Sequence, residues 1–138
     1  MRTVLLTLSL LLIAPPAFAV DPVEGLWNSP LAGAKVQISP CPKQPAEMCG
    51  VVSTMPPDKL DERDKHNPNH ALRERPILGI TAMYGFKQHA PGKWTGGRLY
   101  DPSTGKTYKG KLTASADGTL KVHGCVLMLC KSYTWSRG

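Results

Sequence analysis

The residue types able to do chemistry are thinly spread along this 138-residue chain. His66 and His70 flank an Asn67-Pro68-Asn69 step, with Asp61 and Asp64 just upstream, and imidazole with carboxylate is a donor set that suits zinc, nickel or copper. A four-residue spacing brings two imidazoles together on a helix, but Pro68 between them imposes extended or turned backbone. The segment therefore reads as an exposed polar loop, and no metal ligand is assigned. Arg73 and Arg75 flank Glu74, and alternate residues of an extended stretch point the same way. Both guanidinium groups can then hold an anionic headgroup at an opening, or anchor their own loop to carboxylates, with Asp101 an available partner. Tyr100-Asp101-Pro102 followed by Lys106-Thr107-Tyr108 sets two tyrosines across a hairpin with an aspartate at its turn. Asp101 is expected to cap that turn and the tyrosines to form a cross-strand pair. An acid–base role would need a partner such as His89 or His123, and the spacing supplies none. There is no serine in a nucleophile elbow, no phosphate-cradling glycine loop and no His-Glu-x-x-His pair. These absences weigh against an enzyme, and no catalytic residue or cofactor is assigned.

The ends and the composition say where such groups would work. Arg2 precedes an unbroken apolar run from Val4 to Ile13, and Ala14 to Ala19 is a tail of mostly small residues. That order is the order of a secretory signal peptide, expected to be cleaved after Ala19; a membrane-spanning helix needs about twenty apolar residues. Residues 20–138 are then a single exported domain, periplasmic or secreted, with no transmembrane segment. Removing Arg2 leaves 16 of the 17 basic residues against 10 acidic ones, a formal charge of +6. Outside the cytoplasm such a surface meets anionic envelope components rather than nucleic acid.

Four cysteines in an exported chain read as disulfides, and three pairings are open. Cys41 with Cys49 and Cys125 with Cys130 are favoured, because each pair is close in sequence at a strand end where the Cβ atoms come within reach. A zinc site is the competing reading, and it lacks a Cys-x-x-Cys knuckle.

Eight short alternating or β-branched runs bounded by Gly, Pro, Asn and Asp follow one another: Val23 to Asn28, Ala34 to Ser39, Met48 to Thr54, Leu78 to Phe86, Lys93 to Tyr100, Thr107 to Ala114, Thr119 to Cys125 and Lys131 to Ser136. The turns at Asp101 to Gly105 and Ala116 to Gly118 make the last four a meander. Gly96-Gly97 in mid-strand marks a bend of the kind a barrel wall needs. The fold class is all-β, a small antiparallel up-and-down barrel of about eight strands, with an open sandwich as the alternative. Met55 to Ile77, rich in proline and charge, is one long loop with a helical turn near Ala71 to Glu74, lying over one mouth.

Trp27 on the first strand and Trp135 and Arg137 on the last are expected to plug one end, the arginine stacked on an indole. Gly25-Leu26-Trp27 with a late arginine resembles the signature of calycins, the lipocalin-like barrels. A wider resemblance runs through Cys49-Gly50, Asn67-Pro68, Leu72-Arg73, Arg75-Pro76, Trp94-Thr95-Gly96-Gly97, Tyr100-Asp101-Pro102, Gly105-Lys106-Thr107-Tyr108, Gly118-Thr119-Leu120 and Thr134-Trp135. In these stretches the chain is similar to the DUF2147 family of exported bacterial proteins. The resemblance implies a calycin-like barrel and carries no reaction or catalytic residue with it. The chain departs from the family's pattern at His66 and His70, where another polar residue is the expectation.

The candidate ligand-binding residues are Asn67, Arg73, Arg75, Trp94, Tyr100, Asp101 and Tyr108. The expected function is a small-ligand-binding module holding an apolar or amphiphilic molecule in the barrel lumen, with the long loop as lid and Arg73 and Arg75 near the entrance. Small barrels are often filled by their own side chains. In that case the rival reading is an envelope surface-interaction protein, meeting cell wall, lipopolysaccharide or a protein through its basic face.

Overall fold

A computed structural model describes residues 11–15, 19–30 and 32–138; most of the expected signal peptide lies outside them. Eight strands follow in chain order: β1 Gly25–Asn28, β2 Lys35–Cys41, β3 Gln44–Thr54, β4 Thr81–Ala90, β5 Lys93–Asp101, β6 Lys106–Ala114, β7 Leu120–Val126 and β8 Leu129–Arg137. Each pairs antiparallel with its sequence neighbour, and β1 also pairs with β8, so the sheet closes into a barrel with no free edge. The sandwich alternative is thereby excluded.

Side chains obey the period of two that exposed barrel walls require. Val36 and Ile38 of β2 are buried while Gln37 is exposed; Leu120 and Val122 of β7 are buried around exposed Lys121. Strand limits differ from the sequence expectation where the local pattern is silent. β3 begins at Gln44, because Pro42 and Lys43 form a tight turn that lets Cys41 pair directly with Gln44. β4 begins at Thr81, because the backbone around Gly79 and Ile80 bonds back to Val52 and Ile77 as the end of the long loop.

One disulfide lies at each end of the barrel. Cys41–Cys49 clips the β2–β3 hairpin, and Cys125–Cys130 clips the β7–β8 hairpin across a registered pair. The β5 bend is real: Gly96 takes φ +71°, a left-handed value open to glycine, and the β5–β6 register slips between Trp94 and Gly97. Asp101 caps its turn as expected, accepting from the Ser103 backbone N–H at 2.9 Å and from the Ser103 hydroxyl at 2.6 Å.

Candidate functional site: a barrel half filled and half open

Which half of the lumen is filled follows from three glycines in one row. Gly97, Gly110 and Gly124 are neighbours across β5, β6 and β7 and face inward. A Cβ on Gly97 would fall inside the Phe86 ring, and one on Gly110 would lie 2.9 Å from Phe86 Cζ and 2.8 Å from Leu99 Cγ. The missing side chains are therefore the space into which Phe86 crosses from β4. Phe86, fully buried, joins Trp27, Ile38, Met48, Trp94, Leu112 and Leu120 in a packed core filling one end.

Beyond Phe86 the lumen opens into a cavity of about 1040 Å³, at the upper end of the roughly 300–1,000 Å³ usual for small-molecule sites. Val36, Met83, Leu99, Val122 and Trp135 belong to the core and also line the cavity, so they form its floor. Val52, Met55, Ile77 and Ala82 continue an apolar wall, and Val126 and Leu129 reach the rim. Charge is confined to the mouth: Asp61, Glu62, Arg63, Lys65 and His66 from the loop, Asp101 and Lys106 from the β5–β6 hairpin, and Lys131 from β8. The buried Trp135 indole N–H has no protein acceptor, and a buried donor left unmade costs about 1–3 kcal/mol.

The long loop, which contains short 3₁₀ turns at Pro57–Lys59 and His70–Leu72, is tied down rather than draped. Its segments 62–64 and 75–77 bond to each other through Asp64 N to Arg75 O at 3.0 Å and Ile77 N to Glu62 O at 3.0 Å. At its centre Asp64, with no exposed surface, gathers three donors. Asn67 Nδ2 and Arg75 Nε each donate to Asp64 Oδ2 at 2.8 Å, and the Tyr100 hydroxyl donates to Oδ1 at 2.5 Å. Arg73 Nε donates to the Asn67 carbonyl at 2.8 Å. A second tie is steric: Gly105, at φ +73°, lies flat against the His66 carbonyl with no room for a side chain. The loop is thereby pinned to β5 and to the β5–β6 turn, beside the mouth.

Burial first, and then the hydrogen bond to Asp64, push the Tyr100 phenol up to about 12 from an ordinary 10.0. A folded value above the unfolded one means the contribution of this phenol to stability is whole below about pH 10 and lost as pH rises through about 12. Denaturant titrations of wild type and Tyr100→Phe across that interval should diverge, the wild type losing stability more steeply. Parallel curves would show that neither burial nor Asp64 raises the Tyr100 phenol.

Three of the seven sequence candidates, Tyr100, Asp101 and Tyr108, line the cavity. Asn67 and Arg75 meet at Asp64 within the loop and Arg73 joins them through the Asn67 carbonyl, whereas Trp94 sits in the packed end, away from the others. The partner of Arg75 is Asp64, not Asp101. The two tyrosines are not a cross-strand pair: Tyr108 faces Leu99 and Tyr100 faces Thr107, one position out of step. The Arg137 guanidinium lies 3.9 Å over the Trp27 ring. Trp135 belongs to the core it closes and to the cavity floor at once. The sequence offers Asp64 only as a metal donor beside Asp61, and nothing distinguishes it as the loop's anchor from its exposed neighbours Asp61 and Glu62 in a charged stretch. Among the described residues no three His, Cys, Asp or Glu side chains converge as metal ligands, and no helix is long and apolar enough to cross a membrane.

A closed eight-stranded antiparallel barrel with an arginine-stacked tryptophan at one end and a lumenal cavity at the other is a lipocalin-like architecture. A solved structure of a Helicobacter pylori protein, described as belonging to the lipocalin family, superposes with a TM-score of 0.76 at 19% identity, covering 86% of this chain and 84% of that one. At that identity the likeness establishes the fold. The family model for an uncharacterised protein conserved in bacteria, DUF2147, matches residues 25–137, and the chain belongs to that family. No curated protein matches.

Proposed function

We propose that this protein binds a small amphiphile, its apolar part in the open half of the barrel and its polar end among the charged residues of the mouth. The observation that carries the reading is the division of the lumen: Phe86 seals a packed end, and beyond it lies a cavity of about 1040 Å³ with an apolar floor and wall and a charged mouth. An anionic end group has Lys106 and Lys131 within the lining, with Tyr100, Tyr108 and Asp101 beside them as hydrogen-bonding groups. Asn67 and Arg75 act one step back, holding the loop through Asp64, and Arg73 does so through the Asn67 carbonyl. We infer further that the chain is exported, with processing after Ala19 leaving residues 20–138 as one domain. Two disulfides support that reading, since such bonds persist in oxidising compartments.

Gly124 offers a discriminating variant. Unlike Gly97 and Gly110, it lines the cavity, and a Cβ there would sit 3.4 Å from Leu99 Cδ1 and 3.5 Å from Tyr108 Cβ, in ordinary contact. Gly124→Leu should project into the cavity and weaken binding of an environment-sensitive apolar fluorophore about tenfold or more, with the melting temperature kept. Binding by the wild type should also change little with salt, because an apolar contact is not screened. Equal fluorophore affinity in Gly124→Leu, or none in the wild type, overturns the lumenal reading. Native mass spectrometry of protein purified without detergent would then identify the physiological ligand class.

A further inference from the structure

The β7–β8 hairpin breaks the rule that turns are polar. Its tip, Val126-Leu127-Met128-Leu129, is entirely apolar, and Leu127, Met128 and Leu129 are 97%, 96% and 82% exposed. Leu127 takes φ +53°, in a turn region where Gly, Asn or Asp is the usual choice because a bulky side chain is strained there. The Cys125–Cys130 disulfide closes the hairpin directly below the tip, so these side chains are held away from the core. Val126 and Leu129 also line the cavity, which places the tip on its rim.

Charge on the strands that carry the tip is almost all basic, while acidic Asp61, Glu62 and Asp101 belong to the long loop and the β5–β6 hairpin elsewhere on the mouth. From Pro102 to Gly138, the stretch that forms β6 to β8, the basic residues are Lys106, Lys109, Lys111, Lys121, Lys131 and Arg137; the acidic ones are Asp117 alone. Asp117 is in the β6–β7 turn, at the opposite end from the tip. Lys109 is exposed and registers opposite Cys125, and Lys131 follows Cys130 directly.

We propose that this disulfide-clipped tip inserts into the interfacial layer of an anionic phospholipid bilayer, with Lys109 and Lys131 against the headgroups, and so sets the barrel mouth on the membrane surface. Two residues beyond the disulfide on each strand reach about 7 Å at the usual strand rise, which matches the roughly 5–10 Å to which interfacial segments bury their apolar face. A convex tip of alkyl chains suits acyl chains. A protein interface is anchored by Trp, Tyr and Arg, and the tip carries none. The lysines supply the attraction that juxtamembrane basic residues have for an anionic leaflet. Docking stands on the tip and its lysines and does not require an occupied lumen.

The test is flotation of the protein comprising residues 20–138 with vesicles of phosphatidylcholine alone and of phosphatidylcholine mixed with phosphatidylglycerol. Wild type should float with the anionic vesicles and far less with the neutral ones. The double substitution Leu127→Ser with Met128→Ser should lower the bound fraction about tenfold or more while leaving the melting temperature and fluorophore binding in place. In a Met128→Trp variant, the added indole should shift its emission to the blue on vesicle addition and be quenched by lipids brominated on the acyl chain. Equal flotation of the double variant overturns the proposal, as does emission from Met128→Trp that vesicles leave unchanged. Self-association of wild type that the double variant abolishes, without vesicle binding by either, overturns it in favour of an interface between two copies.

Discussion

Trp27→Ala should lower the stability of the barrel by about 3–5 kcal/mol, the range for emptying a buried large aromatic. Trp27 is 1% exposed and its indole N–H donates to the Val23 carbonyl at 2.9 Å. Its location makes the loss more damaging than the volume alone. The seam that closes the barrel, β1 against β8, holds two registered pairs, Trp27 with Arg137 and Asn28 with Ser136. Beyond these pairs the seam is held by the Gly138 N–H donating to the Leu26 carbonyl at 2.8 Å and by side-chain bonds around Trp27. Arg137 lies over its ring and donates to the Glu24 and Pro22 carbonyls at 2.6 and 2.9 Å, while Asn28 Nδ2 donates to the Arg137 carbonyl at 2.8 Å. Gly25 leaves room for the guanidinium, which would otherwise strike a Cβ. Denaturation followed by far-ultraviolet circular dichroism gives the loss, and hydrogen exchange should show β1 and β8 opening before β4 to β6. Arg137→Ala, at an exposed position, should cost only about 1–2 kcal/mol, as a surface cation–π contact with its carbonyl bonds does. A Trp27→Ala loss near 1 kcal/mol would mean the seam is held by the backbone ladder alone.

Asp64→Ala should cost about 3 kcal/mol and act locally. Removing the carboxylate strands the Tyr100 hydroxyl, the Asn67 amide and the Arg75 guanidinium together, and breaking a buried ion pair costs about 3–5 kcal/mol. The Arg75 side chain is 36% exposed and can turn to water, which places the cost at the lower end. The loss should appear as faster hydrogen exchange and proteolysis over residues 61–77, with β5 to β8 still protected. Asp64→Asn keeps an acceptor for Tyr100 and should fall between wild type and Asp64→Ala. Uniform loosening of the whole barrel would show that the loop is part of the folding core rather than a clamped attachment.

The strands and turns were legible because their causes are local. Alternation of period two needs only neighbouring residues, as in Lys35 to Ile38 and Leu120 to Val122, and the turns at Asp101 and Asp117 cap themselves. Both disulfides were legible for the same reason: Cys41 and Cys49, and Cys125 and Cys130, are 8 and 5 residues apart, so a hairpin brings each pair together. The Trp27–Arg137 stack was readable across the chain because closure of a barrel makes its first and last strands neighbours.

What only the tertiary structure decided depends on contacts that no local pattern encodes. Gly97 reads only as part of a bend and Gly110 carries no local signal, and their inward faces acquire meaning only when Phe86, from another strand, is seen to occupy the space they leave. That single packing event splits the lumen into a core and a cavity. Asp64 became the clamp of the long loop because Tyr100, 36 residues away, and Arg75 both reach it; its burial comes from the fold and leaves no mark in a charged stretch. The sequence by itself therefore determined the strands, their turns and the two hairpin staples through short-range spacing, and favoured a closed barrel over an open sandwich through the rule that sheet edges must be satisfied. Which end is open, what holds the loop beside it, and the placing of an apolar hairpin tip at its rim were decided by long-range packing, where one side chain's room is set by another's absence.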